Sequence, residues 1–537
     1  MNITLRDVRH AAGFLGGLPA LLRNPVTLDA ARTTLRQRLD EREATFLALV
    51  RRGVFAHPTS PYRPLLQRAG CEYGDVEQLV RRDGIEGALR TLLRNGVYLR
   101  SAELKGLRDI LRGDLALRPT EGQFQNPAAA AHIPGQSSGS RGARFSVPLD
   151  LAFVRARSVD YALIAAHLLP ARTVHGVWKT PGGDVLDNLL CFAGFGAVAE
   201  RWFLQVDPAT PGLHPAYRWS IQALRGGSRL IGARFPRPEV VRFEDPVPIA
   251  QWLAATRQTG AAAHLQLFCS AAVRLCEAAG AAGLDLAGSW FMVGGEPLTS
   301  ARATTIRAAG VTPLPRYGTA EAPSIAVGCS RGPTPDAVHL LSDLYAVIQS
   351  DPAPPASDLP PDALFITSLC PTSPLVLLNV SLGDRGVLGP ATCGCPLSAL
   401  GWTTRLHSVR SFEKLTAGGM MFLDSDVIRI LEEVLPARFG GGPTDYQIAE
   451  DETVNGHASV RLLVHPRVPI TSLETVRQTF LETLGKESGT ARVMGLVWQD
   501  AGLVTVERRA PVMTASGKVL HLRAGPAPLA ASPGRRA

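Results

Sequence analysis

Between about residues 145 and 405 the chain alternates helix-spaced stretches with short, unbroken apolar runs. LAGSWFMVGG (286–295) and DALFITSL (362–369) are the clearest of these runs. An unbroken apolar run suits a strand covered on both faces, and intervening helices supply that cover. The pattern predicts an α/β domain built on buried parallel strands. On either side the pattern changes. Residues 25–115 carry apolar positions at helical spacing, as in VTLDAARTTLRQRLDEREATFLALVRRGVF and DVEQLVRRDGIEGALRTLLRNGVYL. From about 410, FLDSDVIRILEEVLPARF and SLETVRQTFLETLG read as helices. HASVRLLVHP and LVTVERR read as strands. The 537 residues exceed one ordinary core. The expected organisation is a large multi-layer α/β domain over 1–408, mostly helical through 130, and a small α+β domain over 409–525. A Pro/Ala-rich tail follows at 526–537.

The net charge of +9 is spread over scattered arginines, with no run of five cations, so a nucleic-acid partner is not expected. No apolar run reaches spanning length, so no membrane partner is expected. The N-terminal stretch MNITLRDVRHAAGFLGGLPALL, interrupted by Gly and Pro, reads as part of the mature protein. The eight cysteines are dispersed, as befits a reducing cytoplasm. Of the 56 Lys and Arg, only Lys105, Lys179, Lys414, Lys486 and Lys518 are lysine. A chain that writes its positive charge as arginine keeps Lys518 in TASGKVLHLR: either an exposed turn tolerates any cation there, or the position needs a compact, mobile ammonium that arginine cannot imitate.

Three short stretches carry the chemistry. GQSSGSRGARFS (135–146) is a small-residue loop whose amides and hydroxyls can converge on a phosphate. It lacks the spacing and lysine of a Walker loop. GGEP (Gly294, Gly295, Glu296, Pro297) follows an apolar run and opens a helix. RYGTAEA (316–322) places an aromatic, a glycine and a carboxylate within a few residues.

Their order resembles the acyl-adenylate-forming superfamily, and most closely its phenylacetate–CoA ligase-like branch. The branch's S-S-G-T-T-G matches Ser137, Ser138, Gly139, Ser140, Arg141 and Gly142. Its G-G-E-P matches Gly294 to Pro297, and its Y-G-x-[ST]-E matches Tyr317, Gly318 and Glu321. Its T-G-D corresponds to Asp384, its G-R-x-D-D to the segment with Arg410, and its S-G-K to Ser516, Gly517 and Lys518.

The resemblance implies that a small-molecule carboxylic acid attacks ATP to give acyl-AMP and pyrophosphate. A thiol, most often that of coenzyme A, then takes the acyl group. A carrier-protein phosphopantetheine, a protein cysteine or an amine are the alternative acceptors, and a non-catalytic nucleotide-binding homologue is the rival reading. In the implied site Ser137, Ser138, Ser140 and the loop amides hold pyrophosphate. Glu321 holds Mg²⁺, a hard cation served by oxygen. Tyr317 covers adenine, while Asp384 and Arg410 hold the ribose. Lys518, on a mobile small domain, bridges the acid and the α-phosphate. Phe192, Phe195 and the Gly294–Gly295 turn are acyl-pocket candidates. The chain departs from the pattern at Arg141, Ala143, Arg144, Ala320, Leu382, Phe412 and Glu413, which bears on phosphate contact and domain rotation.

Cys393 and Cys395 in TCGCP, with Cys329 and His339, offer three thiols and an imidazole, a set suited to tetrahedral Zn²⁺. Relatives in the branch carry a structural zinc at such positions. Four ligands leave no open position, so the ion is structural; His407 is an alternative fourth ligand. Cys71, Cys191, Cys269, Cys276 and Cys370 lie in apolar settings and read as buried small hydrophobes.

Overall fold

The computed structural model describes residues 5–130, 133–136, 146–210, 216–243, 245–295, 297–349, 359–360, 362–411, 415–417, 420–422, 427, 430–441, 445–452, 458–486, 498, 502–511 and 522–524. Five helices open it: α1 (Leu5–Arg23), α2 (Leu28–Asp40), α3 (Arg42–Val50), α4 (Tyr62–Arg68) and α5 (Tyr73–Arg94). Their apolar stripes face inward. The Thr27 hydroxyl caps α2 by accepting from the Ala30 amide, and α2 buries Ala31 and Leu35. The helical region is tied to the rest by backbone pairing. The short strand Leu99–Arg100 lies parallel to Val380–Ser381, and the buried Asn379 side chain donates to the carbonyls of Leu89 and Val97. A single helical turn, α6 (Ser101–Leu104), follows that strand. It delivers Lys105 to the interior.

The centre is the expected α/β array. Strands β1 (Thr173–Lys179), β2 (Arg201–Leu204), β3 (Pro238–Val240), β4 (Ala262–Phe268), β5 (Trp290–Gly294) and β6 (Thr312–Tyr317) pair parallel in the order β6-β5-β4-β1-β2-β3. Helix α7 (Leu151–Leu168) precedes β1. The connections carry α8 (Gly183–Gly194), α9 (Ala216–Leu230), α10 (Val247–Gln258), α11 (Cys269–Ala281) and α12 (Ser300–Ala308). Strand order runs one way through β1, β2 and β3, then restarts with β4 on the other side of β1. The crevice outside the carboxyl ends of the strands at such a reversal is the usual ligand site of an open α/β sheet.

The second half of the middle region departs from the expectation of parallel strands. Strands β7 (Ala326–Gly328), β8 (Val338–Leu340), β9 (Tyr345–Gln349), β10 (Ala363–Ser368), β11 (Val380–Pro390) and β12 (Thr404–Ser411) continue the sheet, with β7 bonded to β6, but pair antiparallel among themselves. For β7 and β8 the reason is connection length: the link 329–337 is too short for the crossover that a parallel pair requires. DALFITSL forms β10, the apolar strand expected, in an antiparallel setting.

The carboxyl-terminal segment forms a second sheet of β13 (Tyr446–Glu452), β14 (Ala458–Val464), β15 (Val504–Arg508) and β16 (Leu522–Ala524), in the order β15-β14-β13-β16, with α13 (Leu473–Lys486) beside it. Its buried residues, Ile430, Tyr446, Ile448, Val460 and Phe480 among them, are continuous with the apolar layer of Leu286, Ile306 and Val311.

Next to the strand reversal the core contains two imidazoles. His175 on β1 and His264 on β4 are register partners, and their Nδ1 atoms lie 3.0 Å apart. One ring therefore donates to the other's bare nitrogen. Burial holds His175 down to about 4 and His264 well below the ordinary histidine value. Both are neutral in the folded chain and take up protons on unfolding below about pH 6.5. The unfolded state thus binds more protons as pH falls, so the stability from this pair is present above pH 6.5 and is lost toward pH 4. The melting temperature, followed by circular dichroism, should fall across that window. A His175→Gln/His264→Gln variant should lose this part of the fall. A wild-type melting temperature unchanged from pH 7 to pH 4.5 would refute the assignment.

Candidate active site and cysteine–histidine centre

The stretch after β6 folds into a tight turn whose backbone closes on itself. The Ile325 amide donates to the Tyr317 carbonyl, and the Thr319 amide to the Ala322 carbonyl. Gly318 is required there, because a Cβ would lie 2.7 Å from the Ser324 backbone nitrogen. The turn sends Tyr317 and Glu321 into the crevice. The Tyr317 hydroxyl donates to Asp384 Oδ2 at 2.9 Å, joining the end of β6 to β11. Burial, the Asp384 charge and that bond push the phenol well above its ordinary range. Two residues separated in the sequence thus meet.

Glu321 is 2 % exposed and faces Lys105 Nζ at 2.9 Å, itself 4 % exposed. This ammonium comes from the helical amino-terminal region. It is a candidate site residue that the sequence reading missed, although its rarity was a usable signal: Lys105 and Lys179, two of only five lysines, are both buried and ion-paired. Lys179, at the carboxyl end of β1, donates to Asp184 Oδ2 at 2.6 Å.

The other expected residues divide as follows. Ser137, Ser138, Gly139, Ser140, Gly142, Glu296 and Lys518 lie outside the described residues. Gly294 ends β5 beside β6, and Gly295 adopts φ +77°, a left-handed turn that favours glycine. Pro297 follows, its carbonyl accepting from Arg302. Arg410 does not join Asp384. On the β11–β12 ladder Asp384 faces Ser411, whereas Arg410 faces Arg385, and neighbouring positions point to opposite faces. Arg410 pairs instead with Asp336 at 2.9 Å. Phe192 is 1 % exposed inside an aromatic group with Tyr161, His175 and His264. The half-buried Phe195 meets His175 edge-on.

The four thiol and imidazole residues come together. Their Cys329, Cys393 and Cys395 sulfurs and one His339 nitrogen all lie within 4.8 Å of one another. His339 Nε2 is 3.0 Å from the Cys395 sulfur and 3.4 Å from that of Cys393. Its Nδ1 lies 2.7 Å from the Trp402 carbonyl oxygen, to which it donates, leaving Nε2 bare toward the thiols. Gly394, at φ +59°, folds Cys393 and Cys395 back toward one centre. Burial opposes ionisation of Cys393, but the Cys395 amide and the Ser398 hydroxyl bring its thiol down to about 6. Burial raises Cys329 to about 12. His407 bonds Ser408 and is not part of the group. A donor set of three sulfurs and one oriented imidazole fits a tetrahedral zinc ion. The remaining cysteines are buried, as expected.

The Lys105–Glu321 pair generates a test independent of function. Removing one partner of a buried pair leaves an uncompensated charge, at a cost of about 3–5 kcal/mol. Lys105→Met should destabilise the chain by that order in denaturant unfolding, and Lys105→Met/Glu321→Gln should recover most of it. A single variant as stable as wild type would show that the pair carries no such constraint.

No family profile matches the chain, and no curated protein sequence matches it. Solved structures do. A 2-hydroxyisobutyryl-CoA ligase, in complex with 2-HIB-AMP and CoA in the thioesterification state, gives a TM-score of 0.52 at 16 % identity, covering 91 % of this chain and 90 % of that one. An amide bond synthetase from Marinactinospora thermotolerans gives 0.42 at 14 % identity, covering 86 % and 92 %, an overlap too loose to argue from. The first match spans nearly both chains and shares the architecture described above. The chain has the fold of that ligase.

Proposed function

We propose that the chain activates a carboxylic acid with ATP, forming an acyl-AMP and pyrophosphate, and passes the acyl group to a thiol, in the first instance coenzyme A. The observation that carries this reading is the convergence of Tyr317, Asp384 and Glu321 on one crevice at the carboxyl ends of the parallel strands. Tyr317 lies against the adenine and Asp384 accepts from the ribose hydroxyls. Asp384 already accepts one hydroxyl, that of Tyr317, so the bond is exchanged when nucleotide enters. ATP arrives as its Mg²⁺ complex, and Glu321 is the carboxylate that meets the metal. Until then Lys105 supplies the counter-charge. Once phosphates enter, the same ammonium is placed to neutralise them, and neutralising and positioning charge is most of what nucleotidyl transfer asks of a protein.

Lys518 completes the reading as the bridge between acid and α-phosphate, the serine-rich loop of 137–142 as the pyrophosphate cradle, and 1–408 and 409–525 as the two domains. We keep the phenylacetate–CoA ligase-like branch as a sequence resemblance, on the order of GGEP, RYGTAEA and SGK. We assign Cys329, His339, Cys393 and Cys395 to a structural zinc. The ion would hold the β7–β8 hairpin to the segment after β11 and would take no part in the chemistry.

Acid-dependent exchange of labelled pyrophosphate into ATP tests the reaction. The wild type should exchange with its cognate acid. Lys518→Ala should lose about 10²-fold or more while still binding ATP, as expected for a charge acting in the transition state. Exchange at wild-type rate in that variant would remove Lys518 from the mechanism. Elemental analysis tests the metal. Protein purified without chelator should carry about one zinc per chain, and Cys393→Ser should lower zinc content and melting temperature together. Zinc-free wild-type protein would overturn the metal assignment and leave the adenylation reading standing.

A further inference from the structure

The crevice is charged in a way that the adenylation chemistry does not use. Trp178 pairs with Leu267, Gly294 with Phe268, and Val293 with Pro315. Continued by one residue, that register sets Lys179, Phe268, Gly294 and Arg316 in a row across the carboxyl ends of β1, β4, β5 and β6. Gly294 brings no side chain to the row, and a Cβ there would meet the Arg316 carbonyl oxygen at 3.0 Å. A cation stands on each side of it, Lys179 and Arg316. Lys179 is 7 % exposed and pairs with Asp184, which is 56 % exposed at the start of α8. Arg316 donates to Asn188 Oδ1 at 3.0 Å and to Ser324 Oγ at 2.8 Å. Its guanidinium lies 5.8 Å from the centre of the Tyr161 ring.

Both acceptors of Arg316 are neutral, and among the described residues no carboxylate oxygen lies within 4.0 Å of its guanidinium. The nearby Asp187 is taken by the fully buried Arg157. With that pair cancelled, Asp184 is the carboxylate beside both cations on this side, and it contacts Lys179 while Arg316 keeps two neutral acceptors. Successive strand residues point to opposite faces. Tyr317 turns to Asp384 on the nucleotide side, so Arg316 turns the other way, toward α7 and α8. A relay continues behind it. Gln266 donates to the Tyr161 hydroxyl at 3.3 Å, which donates to Asn188 Oδ1 at 3.0 Å. Gln266 Oε1 is buried and has no protein partner among the described residues.

We propose that the acid this chain activates carries a second anionic group, and that Arg316 is its counter-ion. A planar guanidinium with free N–H donors can take a carboxylate in two parallel bonds, which a surface-bound monoacid would not use. The Lys179–Asp184 pair bounds the same side of the crevice and disfavours an uncharged alkyl end there. The proposal rests on the adenylation reading, with a dicarboxylic acid as substrate class.

The test compares matched acids, succinate through suberate against butyrate through octanoate, in pyrophosphate exchange with wild type, Arg316→Met and Arg316→Lys. Wild type should prefer the best diacid by about tenfold or more in kcat/KM, the scale of one charge-assisted contact. Arg316→Met should lose that preference through KM while keeping its residual rate on monoacids. Arg316→Lys should fall between them, which separates lost recognition from a fold that fails. Melting temperature with the best diacid alone, without ATP, is read in parallel and should rise in wild type only. Preference for monoacids, or an equal loss on every acid in Arg316→Met, would overturn the proposal. If no acid supports exchange but the diacid still raises the melting temperature through Arg316, the adenylation reading fails and the anion site stands. If neither occurs, both fall.

Discussion

The reversal of strand order between β1 and β4 is the constraint on which the rest of this molecule depends. Strands β2 and β3 grow away from β1 on one side, and β4, β5 and β6 grow away on the other. The connections therefore leave the sheet to opposite faces, and the carboxyl ends between them are where an open α/β sheet usually takes its ligand. Several polar and charged side chains collect there: Lys179 at the end of β1, Arg316 and Tyr317 at the end of β6, and Glu321 just beyond. The antiparallel half supplies Asp384 from β11, and the helical amino-terminal region supplies Lys105 through α6. Three structurally different parts of the chain thus contribute to one crevice.

Bringing so many charges into a poorly solvated space is costly unless each is met. The molecule meets most of them internally: Lys105 with Glu321, Lys179 with Asp184, and Arg157 with Asp187. The Asp184 carboxyl is held down to about 2, because Lys179, Arg316 and Asn188 outweigh the effect of burial. Under the proposed reaction, a phosphate, a metal–nucleotide complex or an acid would exchange with these pairs, one ion for another. The cysteine–histidine group lies apart from them and ties β7–β8 to the loop after β11, where the sheet otherwise relies on three-residue strands.

What could be read in the sequence was what depends on residue type. Cysteines and a histidine in a glycine-turned C-x-C setting were legible as one group although Cys329 and Cys393 are distant, because few other roles demand that chemistry. Parallel strands were legible where helices separate the apolar runs, as at LAGSWFMVGG. They were not where runs follow one another, since β10 is as apolar as a parallel strand and only its pairing with β9 and β11 shows its direction. Arg410 was placed with Asp384 by motif order, but the ladder register sets them on opposite faces, and register is not visible in composition. Lys105 was missed because its partner lies across the whole α/β array. Only the scarcity of lysine pointed to it.

The account stands most directly on where the nucleotide lies. A crystal structure with AMP, or with a sulfamoyl analogue of an acyl-AMP, answers this in one measurement. The account predicts adenine against Tyr317 and the ribose hydroxyls on Asp384. The Tyr317–Asp384 bond would be replaced by bonds to the sugar, and the acyl group would be directed over Gly294 toward Arg316. A nucleotide bound elsewhere, with Tyr317 still donating to Asp384, would contradict it.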